Sequence, residues 1–191
     1  MTNGEKDSII VKTALNVLFF FTKGRVFMLE FKKVVTPEEI RETSDLAREI
    51  WNQHFICILS QDQIDYMVDK FQSPEAISAQ IDEEGYQYYN FVLDGEKIGY
   101  FAICEKPDNT LFLSKLYIKK AFRGNGYARQ AFEFIKDIAR KNGNTMIWLT
   151  VNIHNNAVPI YEKMGMKRIR SEITEIGHGY VMDDHIYGFE L

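Results

Sequence analysis

The stretch KLYIKKAFRGNGYARQAFEFI, residues 115–135, limits the fold more than any other part of this chain. A strand-forming segment, Leu116–Ile118, runs through Arg123, Gly124 and Gly126 straight into a helix. That helix carries Ala128, Phe132, Ile135 and Ala139 on one face, the spacing of a helix packed on a sheet. A side-chain cap would satisfy the first amides of such a helix. Glycines leave them unpaired, and unpaired amides at the positive end of a helix dipole form an anion site. Gly124 and Gly126 also let the backbone curl closely around a ligand, with Arg123 and Arg129 adding positive charge beside it.

The rest of the chain supplies the frame. EFKKVV (Glu30–Val35) reads as a strand, followed by a helix with Thr36 as cap, Pro37 at its first position and Glu39 completing a capping box. Ser60 and Ser73 cap two further helical segments. The period then changes from helical to alternating: YQYYNFVL (Tyr86–Leu93), KIGYFAIC (Lys97–Cys104) and TLFLSKLYI (Thr110–Ile118) form an antiparallel meander turned by Asp94-Gly95. After the glycine stretch come a helix ended by Gly143, the buried strand TMIWLTV (Thr145–Val151), a short helix and two last strands. This order describes a mixed, mostly antiparallel sheet with helices on its faces. The strand-helix-strand unit between Leu111 and Val151 should be locally parallel and right-handed. Ligands of such sheets sit at the carboxyl ends of the strands, where AFRGNGYA falls.

Among phosphate-site patterns, the nucleotide P-loop fails for want of Gly-Lys-Ser/Thr. The dinucleotide fingerprint would put its third glycine at Arg129 and also fails. The pattern Arg/Gln-x-x-Gly-x-Gly/Ala is met by Arg123, Gly126 and Ala128. In its strand-to-helix context, this segment resembles the pyrophosphate-binding motif of the GNAT superfamily of N-acetyltransferases, which use acetyl-coenzyme A. A second block, VNIHNNAVPIYEKMGM, resembles the segment that follows in that family, with Asn155, Ala157, Tyr161 and Gly165 matching; Met166 replaces the usual Phe. Order and spacing agree from about Met28 to Leu191. The fold the resemblance implies is a central sheet of about six to seven strands, splayed in the middle and flanked by helices on both faces.

The resemblance also implies a chemistry. The cofactor's pantetheine arm would pair with the backbone of Leu116, Tyr117 and Ile118, and Arg123, Gly124, Asn125, Gly126, Tyr127, Ala128 and Arg129 would hold its pyrophosphate, with Asn155 close by. A primary amine would attack the thioester directly, through a tetrahedral intermediate polarised by a backbone N–H near Tyr117. Tyr161 is the expected acid for the leaving thiolate. The family often places a Glu on the strand before the loop, but LFLSKLYI has no acid; Glu105, His54 and Asn152 through water are candidate bases. The acceptor is expected to be a small amine such as a polyamine. Asp62, Asp65, Asp69, Asp183 and Asp184 would then hold a second ammonium, although the first three equally fit the solvated face of a helix. The competing readings are acetylation of a protein N-terminus or lysine, and a catalytically idle acyl-CoA-binding module.

Composition narrows the field further. The 191 residues carry a net charge of −4, against a nucleic-acid partner. His54, His154, His178 and His185 lack metal-ligand spacing, so no metal is expected. VLFFF (Val17–Phe21) is too short for a membrane span, which needs about 20 apolar residues, and no membrane association is expected. Residues 1–27 read as an extension, a short helix packed on a neighbour, with Met28 an alternative start; residues 28–191 are expected to form one domain. Cys57 and Cys104, in apolar surroundings, read as reduced core residues of a cytoplasmic protein. Exposed strand edges would give a homodimer somewhere to form.

Overall fold

The computed structural model describes residues 9–12, 17–22 and 25–191. In chain order its elements are β1 (Ile9–Lys12), β2 (Val17–Thr22), β3 (Arg25–Lys33), α1 (Pro37–His54), α2 (Gln61–Gln72), α3 (Pro74–Asp82), β4 (Tyr86–Leu93), β5 (Glu96–Glu105), β6 (Thr110–Ile118), α4 (Tyr127–Asn142), β7 (Met146–Asn152), α5 (Val158–Lys163), β8 (Lys167–Gly177) and β9 (Tyr180–Glu190). The strands form one sheet in the order β1-β2-β3-β4-β5-β6-β7-β9-β8. Only the β6–β7 pair among them is parallel. The seven strands β3 to β9 are those expected, and the fold class is as read from the sequence.

The N-terminal extension differs from expectation. A short helix was expected within residues 1–27, but Ile9–Lys12 and Val17–Thr22 are strands, paired antiparallel with each other and with β3. A run of β-branched and aromatic residues finds ladder partners more readily than a helical face. β3 begins at Arg25, and within it Met28 pairs with Phe19. The remainder of residues 1–27 lies outside the described residues.

Local chemistry explains the helix starts. Thr36 Oγ1 accepts from the Glu39 amide at 3.2 Å, while the Glu39 carboxylate accepts from the amides of Val35 and Thr36. Those two amide bonds pull the Glu39 carboxyl down to about 2. Ser60 and Ser73 cap α2 and α3 in the same manner. Gly126 begins α4 with no side-chain cap at all. One face of the sheet takes α1, α2 and α3, burying Leu46, Ile50, Trp51, Ile64 and Ile77 with Tyr88 and Tyr100. The opposite face takes α4, whose Ala131, Phe132, Ile135 and Ala139 pack on Leu111, Leu113, Ile147 and Leu149. Each large apolar side chain so buried contributes about 1.5–3 kcal/mol.

Two irregularities in β6 create the site. Its parallel pairing with β7 covers only Thr110–Phe112 against Met146–Trp148. Trp148 pins this end by stacking on Phe112 at 4.2 Å and donating to Thr110 Oγ1 at 2.9 Å. Beyond it the two strands part. Opposite β5, the register slips between Ala102 and Ile103, leaving Ser114 as an extra residue on β6. Such a bulge re-aims the side chains that follow, so Lys115 and Tyr117 face the α1–α3 side. No helix among the described residues is long and apolar enough to cross a membrane.

Candidate active site

The glycine loop has the geometry its sequence promised. Gly124 and Gly126 sit at φ +80° and +82°, where a side chain is strained. Among the described residues, the amides of Gly124, Asn125, Gly126, Ala128 and Arg129 meet no protein acceptor. A Cβ at Gly124 would enter open space, and one at Gly126 would meet only Gln130 Nε2, at 3.9 Å. The Asn125 side chain holds the loop by donating to the carbonyls of Phe122 and Arg123, at 3.0 and 3.3 Å. Tyr127 and Ala128 turn inward against the core, which leaves their helix end outward. Unpaired amides, open space above them and the exposed Arg129 fit a diphosphate.

Arg123 departs from expectation. Its guanidinium is folded back, with Nε donating to the Ile118 carbonyl at 2.8 Å and Nη1 lying 3.2 Å from His54 Nδ1. It ties the end of β6 to the end of α1. The Asn155 Oδ1 accepts from the Ala157 amide at 2.9 Å, and the same side chain faces His54 and weakly favours its protonated form. Burial, and then the Arg123 charge, push the His54 imidazole down. This places His54 as a neutral brace between loop and α5.

The backbone of Leu116, Tyr117 and Ile118 lines the parting of β6 from β7. A Cβ at Gly99 would collide with Tyr117 O, so the Tyr117 carbonyl faces β5. Alternation along a strand then turns the polar groups of Leu116 to the gap, one residue before the oxyanion donor expected near Tyr117.

The gap opens into a cleft of about 570 Å³ whose walls include Trp51, Phe55, Lys115, Tyr117, Tyr161 and Asp184. The Tyr161 hydroxyl has no hydrogen-bond partner among the described residues, and burial pushes it up to about 12. Tyr117 packs against Tyr100, Trp51 and Phe55, at centroid distances of 5.4, 5.6 and 6.1 Å. Burial raises its phenol strongly, with Tyr161 and Asp184 adding to the effect. The Asp184 carboxyl is pushed up to about 6, first by burial and then by Asp183 and Glu172. β9 sets Asp184 opposite Asn152 on β7. Tyr117, Tyr161 and Asp184 therefore form one electrostatic cluster at the end of the gap.

The expected bases fare differently. Glu105 accepts from the Asn142 side chain at the far end of α4 and is not a cleft residue. Asn152 lines the cleft but its Oδ1 accepts from the His154 amide at 3.0 Å. Asp62, Asp65 and Asp69 lie exposed on α2, so of the five aspartates only Asp184 reaches the cleft. Cys57, expected in the core, is exposed, because the turn after α1 buries Phe55 instead; Cys104 is buried. Nothing in the sequence marks Lys115 as a cleft residue, since a lysine in a strand ordinarily lies on a solvated face.

Comparison with known proteins agrees with this geometry. A family model for the acetyltransferase (GNAT) domain matches residues 57–182. The chain is 25% identical over 151 residues to the N-acetyltransferase in the pepI 3′ region of Lactobacillus delbrueckii subsp. lactis, a match covering 75% of this chain and 87% of that one. It is 33% identical over 89 residues to the N-acetyltransferase YdgE of Bacillus subtilis, covering 44% and 57% respectively. The crystal structure of PaiA N-acetyltransferase from Thermoplasma acidophilum, in complex with coenzyme A, superposes with a TM-score of 0.70 at 20% identity, over 85% of this chain and 99% of that one. An acetyltransferase from Streptococcus agalactiae superposes with a TM-score of 0.64 at 21% identity, over 85% and 98%. At such identities the likeness is one of fold.

Proposed function

The chain belongs to the GNAT family of acetyltransferases, and from that premise we propose that it moves an acetyl group from acetyl-CoA to a small primary amine, with Tyr161 as acid and Asp184 as base. One observation carries the reading: a loop of unpaired amides follows directly on β6, the strand that parts from β7, and the gap between them leads to Tyr117, Tyr161 and Asp184. Acetyl-CoA supplies an acyl group on a thiol leaving group. The amides from Gly124 to Arg129 hold its diphosphate, and the Leu116 backbone edge orients its arm.

Asp184 is suited to take a proton from the acceptor. Raised to about 6, its carboxyl is still ionised at neutral pH yet more basic than an ordinary carboxylate. Tyr161 keeps its proton at that pH and has no competing partner, so it is free to donate to the departing sulfur. Because burial disfavours the thiolate as well, this hydrogen bond counts for more in the cleft than it would in water.

A small acceptor is favoured over a protein tail by the way the cleft is roofed. Tyr66 Oη and Lys70 Nζ both donate to the Ile176 carbonyl at 2.5 Å, and Gln63 Nε2 donates to the Val181 carbonyl at 3.3 Å. These bonds tie the β8–β9 turn down onto α2. A polyamine is less well supported, since four of its five expected carboxylates lie outside the cleft. Thermal-shift measurement with acetyl-CoA, CoA, NAD and ATP tests the cofactor class. Thiol release over a panel of amines then separates an enzyme from an idle binding module: a shift with CoA but no release from any amine favours the module.

A further inference from the structure

Among the described residues, Lys115 is the one cationic side chain that the proposed reaction leaves unused within the cleft wall and that is also buried, at 6% exposure. Its Nζ donates to Gln80 Oε1 at 2.8 Å and approaches Ser114 Oγ at 3.4 Å. It lies over the rings of Tyr86 and Tyr88, at 5.1 and 5.2 Å from their centroids. Gln80 Oε1 also accepts from Tyr88 Oη at 2.5 Å, so this acceptor is shared. No carboxylate among the described residues forms an ion pair with Nζ; Glu84 acts on it only from longer range. An ammonium carries three donors, and here neutral partners engage two. Burying a cation with only neutral partners is costly, and a core role would be met better by methionine.

Position adds a second observation. The bulge at Ser114 is what turns Lys115 onto the acceptor side, on the same strand face as Tyr117. Two residues along a strand are about 7 Å apart, so one acceptor molecule can face both side chains. Of the other charged groups at this end, Glu84 lines the cleft without pairing with Lys115, and Lys106 stands behind the wall, 5.5 Å from the Tyr86 ring centroid. The other end carries Asp184.

Resting on the acetyltransfer reading, we propose that Lys115 is the counter-ion for a carboxylate on the acceptor, so that the substrate is an amino-acid-like molecule rather than a polyamine. Its amine would lie toward Tyr117 and Asp184, its acid group between Lys115 and the Gln80 side chain. The lysine would thereby set specificity without touching the reacting atoms.

The test uses matched pairs of amino acids and their carboxamides, together with a polyamine, on wild type, Lys115→Met and Lys115→Arg. Binding is read by calorimetry on the CoA-loaded protein and turnover by thiol release. Wild type should favour the best acid over its amide by about tenfold to a hundredfold in both readouts, the worth of a hydrogen bond to a charged group. Lys115→Met should bring that ratio to near one, and Lys115→Arg should restore part of it. Equal use of acid and amide by wild type, a preferred polyamine, or a ratio that survives Lys115→Met would each overturn the proposal. Any of these with thiol release intact refutes Lys115 alone. Loss of both the CoA-induced thermal shift and thiol release refutes the acetyltransfer reading instead.

Discussion

Lys115 makes a prediction about stability that needs no substrate. Burial holds its ammonium down to about 7, against an ordinary 10.5. In the unfolded chain the same group keeps its proton to about 10.5, so between these limits the unfolded state binds about one proton more. Stability therefore rises with pH across that interval, and the penalty is full below pH 7, where both states are protonated. At about 1.4 kcal/mol per pH unit the whole interval is worth about 5 kcal/mol, and about 3 kcal/mol accrues between pH 7 and 9.5. That window avoids Asp184 and His54, which titrate below it, and the raised tyrosines above it. The perturbation is Lys115→Met, which keeps an unbranched chain one atom shorter and removes the charge. Urea unfolding followed by the fluorescence of Trp51 and Trp148, repeated across the window, gives both curves. The variant should be more stable than wild type at pH 7, and their difference should shrink by about 3 kcal/mol toward pH 9.5. Parallel curves would mean that Nζ is solvated and that its burial carries no cost, and would refute the reasoning.

Tyr161→Phe should lower kcat by about a hundredfold to ten-thousandfold, the range of a general acid, while the CoA-induced rise in melting point persists; steady-state kinetics beside thermal shift checks both. Gly126→Val places a β-branched residue at φ +82° and should cost about 1–3 kcal/mol while abolishing the CoA-induced shift, read by thermal melts with and without ligand. For Asp184 the sign follows from a base that works when deprotonated. Wild-type kcat/KM should rise with pH through about 6, and Asp184→Asn should lose that limb of the profile along with most of its rate.

How much of this was legible in the sequence depends on how local each feature is. The glycine loop, α4 and the order of elements could be read because they rest on spacing and on the φ freedom of glycine within a few residues. Tyr161 could be placed for the same reason, one short helix after the loop. The orientation of Lys115 could not: strict alternation would put it on the α4 face with Leu111 and Leu113, and only the extra residue at Ser114, seen in the pairing with β5, reverses it. The motif position marks Arg123 as a phosphate ligand, yet its side chain is claimed by His54 on α1 and by the Ile118 carbonyl. Asp184 was one of five equivalent aspartates until β9 paired with β7 and carried it into the cleft. In the N-terminal extension, a run of five apolar residues could not decide between helix and strand, and pairing with β3 decided it.

The most direct measurement is a crystal structure of the protein with coenzyme A bound. The diphosphate should rest on the amides between Gly124 and Arg129, with the thiol in the gap between β6 and β7, beside Leu116 and Tyr161. A diphosphate bound away from those amides, or a thiol that does not enter the gap, would contradict the proposed chemistry.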